Sequence, residues 1–304
     1  MKKDIFVIVN PAAGGGAALR AEPLVASYLA ERGRSAEFVH SRGPEDVREQ
    51  AAKAAGQGYR YVLALGGDGA FHYVVEGVRG TDAIAGIFPA GNGNDIARDL
   101  GIPEDPVRAA DAFLRARPRE VDLVRARFGG GREAYFIGVG GMGLDAEASY
   151  LANTRFKSWP GLARYLAGFS WTFWHEPTFE LRVEMEGIRW AGSALLAAVA
   201  NGTSYGAGLR IAAEAKMDDG WLEVALVSEL GWRKVVEAIP VLLTTGDVRI
   251  EELQRFRCRR VRLTAERAVK VHGDGEILGD TAAEFEIVPR AIRVMAPEKR
   301  DYRR

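Results

Sequence analysis

The stretch that constrains this chain most is residues 59–77, YRYVLALGGDGAFHYVVEG. An apolar, β-prone run at 61–65 ends at the turn Gly66-Gly67-Asp68-Gly69, and apolar residues at helical spacing follow it. Glycines in such a turn permit positive φ and a close approach of the backbone to a ligand. The start of the next helix offers unpaired N–H groups and the positive end of its dipole. The segment therefore predicts a strand, a phosphate-binding turn and a helix.

Asp68 lies at the mouth of this turn. A carboxylate beside bound phosphates is unfavourable unless a cation accompanies it, because an unpaired ion in a low-dielectric site costs several kcal/mol. We therefore interpret Asp68 as a ligand of a metal ion or of metal-bound water. The tetrapeptide alone is equally compatible with a surface turn in which Asp68 caps the helix.

Two other apolar runs, residues 4–10 and 83–89, also end in loops that contain glycine. These loops read Asn10-Pro11-Ala12-Ala13-Gly14-Gly15-Gly16 and Ala90-Gly91-Asn92-Gly93-Asn94-Asp95. The first is not a Walker A loop, because no Gly-Lys-Ser/Thr follows it. Loops at the carboxyl ends of strands in an open α/β sheet converge on one crevice. Three such loops, two of which carry an Asp, predict a nucleotide crevice.

The pattern of the sequence changes near residue 121. Before it, strands alternate with helices; beyond it, eight β-like stretches are interrupted by helical segments at about 144–174 and 231–246. Runs of strands after a βαβ region indicate a second domain. We predict an α/β N-terminal domain with a parallel sheet, residues 1–121, and a β-rich, sandwich-like domain, residues 122–290.

Composition argues against several functional classes. Lys and Arg total 41 against 41 Asp and Glu, so no global field favours nucleic acid. One cysteine and four histidines without paired spacing argue against a disulfide framework and against a zinc hydrolase. The first residues lack the apolar core of a signal peptide, and no apolar run approaches the ~20 residues that span a bilayer. We expect a cytoplasmic protein that can still touch a membrane.

Two segments allow alternative interpretations. Residues 138–143, GVGGMG, fit the dinucleotide motif GxGxxG, but the stretch about 20 positions on, 161–165, holds no acid for a ribose. An NAD(P)-dependent oxidoreductase is therefore retained only as an alternative.

Residues 156–175 are dense in aromatics and predict either a lipid-contacting surface or a helix packed on the β-rich domain. The packed helix is the favoured interpretation.

The motifs in their order resemble the bacterial soluble diacylglycerol kinases, lipid kinases that share a catalytic domain with eukaryotic diacylglycerol and sphingosine kinases. The similar segments are Asn10-Pro11 with its glycines, 66–69 with Glu76-Gly77, 89–103, 141–146, 201–208, 218–220 and 274–276. Three positions depart from the family pattern, in which Thr is usual: Ser41, Ala70 and Asn92. The resemblance implies an NAD-kinase-like and lipid-kinase-like fold in which residues from about 291 to 304 return to the first domain.

The resemblance also implies ATP as phosphoryl donor, Mg²⁺ and a catalytic role for three acids. Asp68 would hold the catalytic Mg²⁺, with Asn94 and Asp95 supporting the metal and its water network. Glu276 would accept the proton of the attacking hydroxyl, with Asp274 beside it. The implied nucleotide contacts are Asn10, Pro11, Gly14, Ser41, Gly66, Gly67, Asp68, Gly69, Asn92 and Asn94.

A second, structural Mg²⁺ is implied at the Asp219 side chain with the carbonyls of Lys216 and Trp221. The turn alone is equally compatible with a solvated acidic pair. The implied substrate is a lipid alcohol such as diacylglycerol, reached by transient peripheral contact with a membrane, with no nucleic acid partner. A homodimer and a non-catalytic nucleotide-binding regulator both stay open.

Overall fold

The computed structural model describes residues 4–156, 159, 161–175 and 178–297. The chain divides into two compact units, Met1–Val121 with Arg290–Arg304, and Asp122–Pro289. We call them the N-terminal unit and the C-terminal unit. Among the described residues, no helix combines the length and the apolar character needed to cross a bilayer.

The first part of the chain alternates strands and helices. These elements are β1 (Ile5–Val9), α1 (Ala17–Glu31), β2 (Ala36–His40), α2 (Pro44–Gly56), β3 (Tyr61–Gly66), α3 (Asp68–Val78), β4 (Ile84–Pro89), α4 (Asp95–Asp99) and α5 (Pro106–Arg115). β1, β3 and β4 are buried along their whole length. Continuous apolar strands of this kind are typical of a parallel sheet that is covered on both faces.

The rest of the chain is rich in strands. It contains β5 (Arg117–Phe128), β6 (Glu133–Phe136), β7 (Val139–Gly143), α6 (Leu144–Asn153), α7 (Gly161–His175), β8 (Phe179–Met185), β9 (Ile188–Ala200), β10 (Leu222–Ser228), α8 (Trp232–Thr244), β11 (Leu253–Cys258), β12 (Arg260–Ala265), β13 (Lys270–Gly273), β14 (Glu276–Asp280) and β15 (Ala283–Ala296). The helical segment expected at 144–174 therefore forms two helices, α6 and α7.

The N-terminal unit contains a parallel sheet in the order β4–β3–β1–β2, and the end of β15 extends it. Ile5 of β1 lies opposite both Tyr61 of β3 and Ala36 of β2. Val294 of β15 pairs in parallel with Ala85 of β4. In this register the carboxyl ends of β1, β3 and β4 lie side by side, which places the three glycine-containing loops at one edge of the sheet.

The C-terminal unit is built from antiparallel strands in the order β14–β13–β7–β9–β8–β12–β15, with β10 between β9 and β11. β9 ends in the continuous apolar run 194–200, and both faces of the strand are covered there. Ala197 and Val199 join one hydrophobic cluster, whereas Ala198 and Ala200 join a second cluster on the opposite face. The fold class predicted from the sequence, α/β followed by a β-rich sandwich, is confirmed.

The aromatic segment 156–175 has side chains that pack on its own unit and one that is exposed, and its contact with lipid stays a prediction. Phe169 and Phe173 of α7 pack against the second cluster of the C-terminal unit, as expected of a helix that packs on the β-rich domain. Trp174 of the same helix is 69% exposed. The part of the segment at residues 157, 158 and 160 lies outside the described residues.

A matched pair of glycines tests how closely α2 and α3 pack. A Cβ atom on Gly77 of α3 would lie 2.5 Å from the carbonyl oxygen of Arg48 and 2.7 Å from Cβ of Ala51, whereas a Cβ atom on Gly56 would meet nothing. We expect Gly77→Ala to lower the free energy of unfolding by about 1–3 kcal/mol, since the helices must separate. Gly56→Ala should leave it unchanged or raise it by up to ~1 kcal/mol. Urea unfolding of both variants measures this, and equal midpoints would contradict the packing.

Candidate active site

The three glycine-containing loops of the N-terminal unit meet through direct backbone contacts. The N–H of Asn10 donates to the carbonyl of Leu65 at 3.0 Å, and the N–H of Ala90 donates to the carbonyl of Gly66 at 2.7 Å. A Cβ atom on Gly91 would lie 2.5 Å from Cα of Gly67. The glycines therefore allow two loops to touch backbone to backbone, a spacing that no side chain permits.

Gly14 completes this contact from the first loop. Its φ is +55°, in the left-handed region that favours glycine, and a Cβ atom there would clash with the carbonyl oxygen of Ala90. Its neighbours Asn10 and Pro11 are half-buried, and Ser41 is buried with its N–H bonded to Val9. The structure thus brings these predicted nucleotide-binding residues to one edge of the sheet.

Asp68 is the first residue of α3, and its carboxylate holds another helix. Its Oδ2 accepts a hydrogen bond from the N–H of Asp95 at 3.0 Å, and its Oδ1 accepts one from the N–H of Ile96 at 3.1 Å. A negative charge at the N-terminus of a helix is favoured by the unpaired N–H groups there. Asp68 is therefore a cap, as the alternative interpretation allowed, but the helix that it caps is α4, not its own.

The loop before α4 is fixed by the side chain of Asn94. Its Oδ1 accepts a hydrogen bond from the N–H of Gly91, and its Nδ2 donates to the carbonyl of Gly91, both at 3.0 Å. Asn94 has a φ of 54°, which Asn tolerates better than most residues. Its amide therefore holds the loop; the water-network role remains a prediction. Asn92 lies exposed in the same loop.

Arg98 is a site residue whose role the sequence analysis did not anticipate. It donates to the Asp95 carboxylate at 2.7 Å, to the Gly93 carbonyl at 3.0 Å and to Glu104 at 2.8 Å. Burial alone would lower the pKa of Arg98, but the hydrogen bond to Glu104 and the charge of Asp95 outweigh it, and the pKa is raised. A fixed cation therefore lies beside Asp95 and the loop.

The acids of this edge fit a metal ion that arrives with a nucleotide. Asp68 and Asp95 supply carboxylate oxygens, the hard ligands that Mg²⁺ prefers, and Mg²⁺ is usually held by one or two carboxylates together with phosphates and water. The described part of the chain contains no group of three or more His, Cys, Asp or Glu side chains that could hold an ion by itself. The predicted metal role of Asp68 and Asp95 thus requires phosphate oxygens as further ligands.

In the C-terminal unit, Asp274 holds the turn between β13 and β14. Its carboxylate accepts hydrogen bonds from the N–H groups of Ile137 at 3.0 Å and Gly138 at 2.8 Å, while its own N–H donates to Val139 at 2.9 Å. We therefore treat Asp274 as a positioning residue; the catalytic role predicted for it finds no support in these contacts. Glu276 begins β14 with a half-buried side chain.

A buried polar cluster lies beside this turn and was missed in the sequence. Nε2 of His272 is 3.1 Å from Oδ2 of Asp145, and both side chains are buried. Burial, together with the charge of Asp145 and a hydrogen bond to it, raises the pKa of Tyr205 well above its ordinary value. His272 precedes Asp274 by two residues, but no spacing rule connects it to Asp145, which is distant in sequence.

The turn that is predicted to hold a structural Mg²⁺ contains an ion pair. Oδ2 of Asp219 pairs with Arg257 at 2.6 Å, and Oδ1 accepts the N–H of Trp221 at 3.1 Å. The Arg257 guanidinium also lies over the Trp221 ring. The Asp219 carboxylate and the carbonyls of Lys216 and Trp221 are oxygen ligands of the kind that Mg²⁺ takes, and a bound ion would replace the half-exposed Arg257 guanidinium, so the structural Mg²⁺ site stays a prediction.

Five of the six residues of the GxGxxG segment, 138–143, lie in a strand. Residues 139–143 form β7, which pairs with β9 and β13. A dinucleotide motif instead requires its glycines at a turn from strand to helix within a βαβ unit. A Cβ atom on Gly143 would lie 2.6 Å from the Leu195 carbonyl oxygen, so glycine at this position allows β7 to pack closely against β9. The oxidoreductase alternative loses its basis.

Two family models match the chain. Residues 4–126 match the diacylglycerol kinase catalytic domain. Residues 138–296, just over half of the 304 residues, match the YegS C-terminal NAD kinase beta sandwich-like domain.

Curated relatives carry the same description. A diacylglycerol kinase of Mycobacterium tuberculosis is 29% identical over 296 residues, which cover 96% of this chain and 95% of the relative. A diacylglycerol kinase of Bacillus subtilis is 27% identical over 259 residues and 84% of each chain. A crystal structure of a diacylglycerol kinase from Bacillus anthracis covers 97% of each chain with a TM-score of 0.71 at 19% identity, which supports the fold. The chain therefore belongs to the bacterial diacylglycerol kinase family of lipid kinases.

The two hydrogen bonds that the Asp274 carboxylate accepts lead to a stability prediction. Asp274→Asn leaves one oxygen and places an NH₂ group against an N–H donor, so we expect a loss of about 1–3 kcal/mol in the free energy of unfolding. Asp280, exposed at the end of β14, provides the control, and Asp280→Asn should change it by less than ~0.5 kcal/mol. Urea unfolding measures both. An unchanged midpoint for Asp274→Asn would refute the positioning role.

Proposed function

We propose that the protein transfers the γ-phosphoryl group of ATP to a hydroxyl of a lipid alcohol of the diacylglycerol class. The observation that carries this proposal is the contact of three glycine loops at one edge of the parallel sheet, beside the N-terminus of α4. Loops of this kind present backbone N–H groups to phosphates. The relatives in Mycobacterium tuberculosis and Bacillus subtilis are diacylglycerol kinases, which favours diacylglycerol among lipid alcohols.

In this proposal the N-terminal unit binds the nucleotide. The backbone of the loops at Gly14, Gly67 and Gly91 binds the phosphates, and Arg98 adds a fixed positive charge close by. Asp68 and Asp95 would hold Mg²⁺, which supplies neutralisation of charge on the phosphate oxygens when it is bound. Because Asp68 also caps α4, its substitution should affect the shape of the loop together with any metal.

Glu276 has the role of proton acceptor. The oxygen of the lipid hydroxyl forms a bond to the γ-phosphorus, the bond between that phosphorus and the β–γ bridging oxygen breaks, and ADP leaves. The hydroxyl proton passes to the Glu276 carboxylate, a transfer that typically contributes 10²–10⁴-fold to the rate. Asp274 and the Asp145–His272 pair fix β13 and its turn, and thereby position Glu276 at the start of β14.

The remaining assignments follow from this activity. Residues 1–121 with about 291–304 form the nucleotide-binding domain, and residues 122–290 form the lipid-substrate domain. The protein acts in the cytoplasm and contacts a membrane peripherally, since its substrate is a membrane lipid. No specific contact favours a homodimer, and we do not propose one.

The direct test is phosphorylation of a panel of lipid alcohols from labelled ATP. We expect Glu276→Gln and Asp68→Asn each to lower kcat/KM by about 10²-fold or more, because one loses the proton acceptor and the other loses a charge that faces α4 and the metal. Glu180→Gln, an exposed glutamate on β8, serves as the control and should match the parent. Removal of Mg²⁺ with EDTA should abolish turnover. Full activity of both variants would overturn the assigned roles, and ATP binding without turnover would favour a non-catalytic regulator.

A further inference from the structure

Helix α8 of the C-terminal unit carries an exposed apolar line. Trp232 is 54% exposed, Val236 57%, Ile239 37% and Leu243 51%. Their spacings of four, three and four residues place them along one side of a helix. We call these four side chains the α8 stripe. Single exposed apolar residues are ordinary, but a contiguous line of them marks an interaction surface.

The α8 stripe is not the face that attaches the helix to its own unit. Val235 and Leu242 pack against the hydrophobic cluster of the C-terminal unit that also receives Phe169 and Phe173 of α7. The apolar side chains of α8 therefore form one wide arc, of which one side packs on the unit and the other side, the stripe, is exposed. Among the described residues, the stripe has no covering element.

The charged residues of α8 lie on another arc of the helix, although the Arg233 guanidinium reaches to 5.9 Å from the centroid of the Trp232 ring. The helix contains three charged residues, Arg233, Lys234 and Glu237, and all three fall on another arc of the helix. Lys234 forms an ion pair with Glu252. The four side chains of the stripe carry no charge themselves, so apolar contact is the main interaction that they offer to a partner.

The size of the stripe favours a lipid bilayer over a protein partner. A stable protein interface buries about 800 Å² on each side, and four partly exposed side chains on one helix fall well short of that. A bilayer sets no such minimum, since a surface helix inserts its apolar face by ~5–10 Å at the headgroup boundary. The exposed indole of Trp232 suits that boundary, as does Trp174 on α7, which is 69% exposed.

We propose that the α8 stripe is the surface through which this protein docks onto a membrane, with its four side chains inserted between lipid headgroups. The proposal deepens the proposed function and rests on it, because a kinase of membrane lipids must meet its substrate at a bilayer. Insertion driven by apolar contact should be nearly independent of salt, whereas docking through charges would weaken as salt rises.

The first experiment measures binding without catalysis. Co-sedimentation with phosphatidylcholine vesicles, in the absence of ATP and diacylglycerol, compares the parent with the double variant Val236→Gln/Leu243→Gln. We expect the partition coefficient to fall about tenfold or more, because two apolar side chains no longer insert. The matched control is Leu24→Gln on α1, since Leu24 is 60% exposed and belongs to the other unit. It should bind as the parent does, and equal melting temperatures establish that the variants fold.

Three results of this experiment would overturn the docking surface. The first is unchanged binding of the double variant, and the second is loss of parent binding at high salt. The third is a concentration-dependent dimer of the parent, seen by light scattering, that the double variant abolishes, because a second copy would then cover the stripe.

The second experiment separates docking from chemistry. Activity is measured on long-chain diacylglycerol in vesicles and on a short-chain diacylglycerol dispersed as monomers. We expect the double variant to lose about tenfold in apparent kcat/KM on vesicles and to match the parent on the monomeric substrate. Equal losses on both substrates would contradict docking. If the parent phosphorylates neither substrate while vesicle binding still depends on the stripe, the kinase proposal fails and the docking surface stands.

Discussion

The close approach of backbone between Gly67 and Gly91 is the constraint on which the N-terminal unit depends. A Cβ atom on Gly91 would lie 2.5 Å from Cα of Gly67, and one on Gly67 would lie 3.1 Å from Cα of Gly91, so the contact excludes a side chain at 91 and leaves little room for one at 67. The contact joins the loop after β3 to the loop after β4, and the Asp68 carboxylate then reaches the first N–H groups of α4. The phosphate-binding edge is thus one connected piece of backbone, and its shape follows from where the chain has glycine.

Carboxylates that accept backbone N–H groups recur in both units. Asp68 holds the start of α4, Asp274 holds Ile137 and Gly138, and the Asp122 carboxylate accepts the N–H of Gly220 at 2.7 Å. Hydrogen bonds to an ionised acceptor are stronger than neutral ones, so each acid fixes a turn firmly. Asp68 and Asp274, which the sequence motifs mark as candidates for metal binding or catalysis, therefore also have structural roles. Loss of activity on substitution is informative only when stability is measured beside it.

Local patterns predicted the elements well. The strand, turn and helix at 59–77 could be predicted because apolar periodicity and glycines act over a few residues, and the change to a β-rich chain near 121 has the same origin. The division of the β9 run between two clusters could not be predicted, since a continuous apolar strand does not reveal what covers each face.

Contacts between residues that are far apart in the sequence could not be predicted from it. Asp68 lies in a turn that predicts phosphate and a metal ion, but the two N–H groups that donate to its carboxylate lie 27 and 28 residues further along the chain. The Asp145–His272 pair is separated by 127 residues, and Arg257 of β11 pairs with Asp219, which lies in the turn before β10. Side chains that only the fold brings together have no local signature in the sequence, so these contacts could not be predicted from it.

Glycine loops in direct contact bind the phosphates of a nucleotide in the function proposed for this protein. Calorimetric titration of Mg²⁺–ATP into a matched pair of variants tests this binding most directly. Gly91→Ala should weaken the affinity for ATP about tenfold or more while the protein stays folded, because the new methyl group separates the two loops. Gly43→Ala, where a Cβ atom would meet nothing, should bind ATP as the parent does. Equal affinities of Gly91→Ala and the parent would contradict the account.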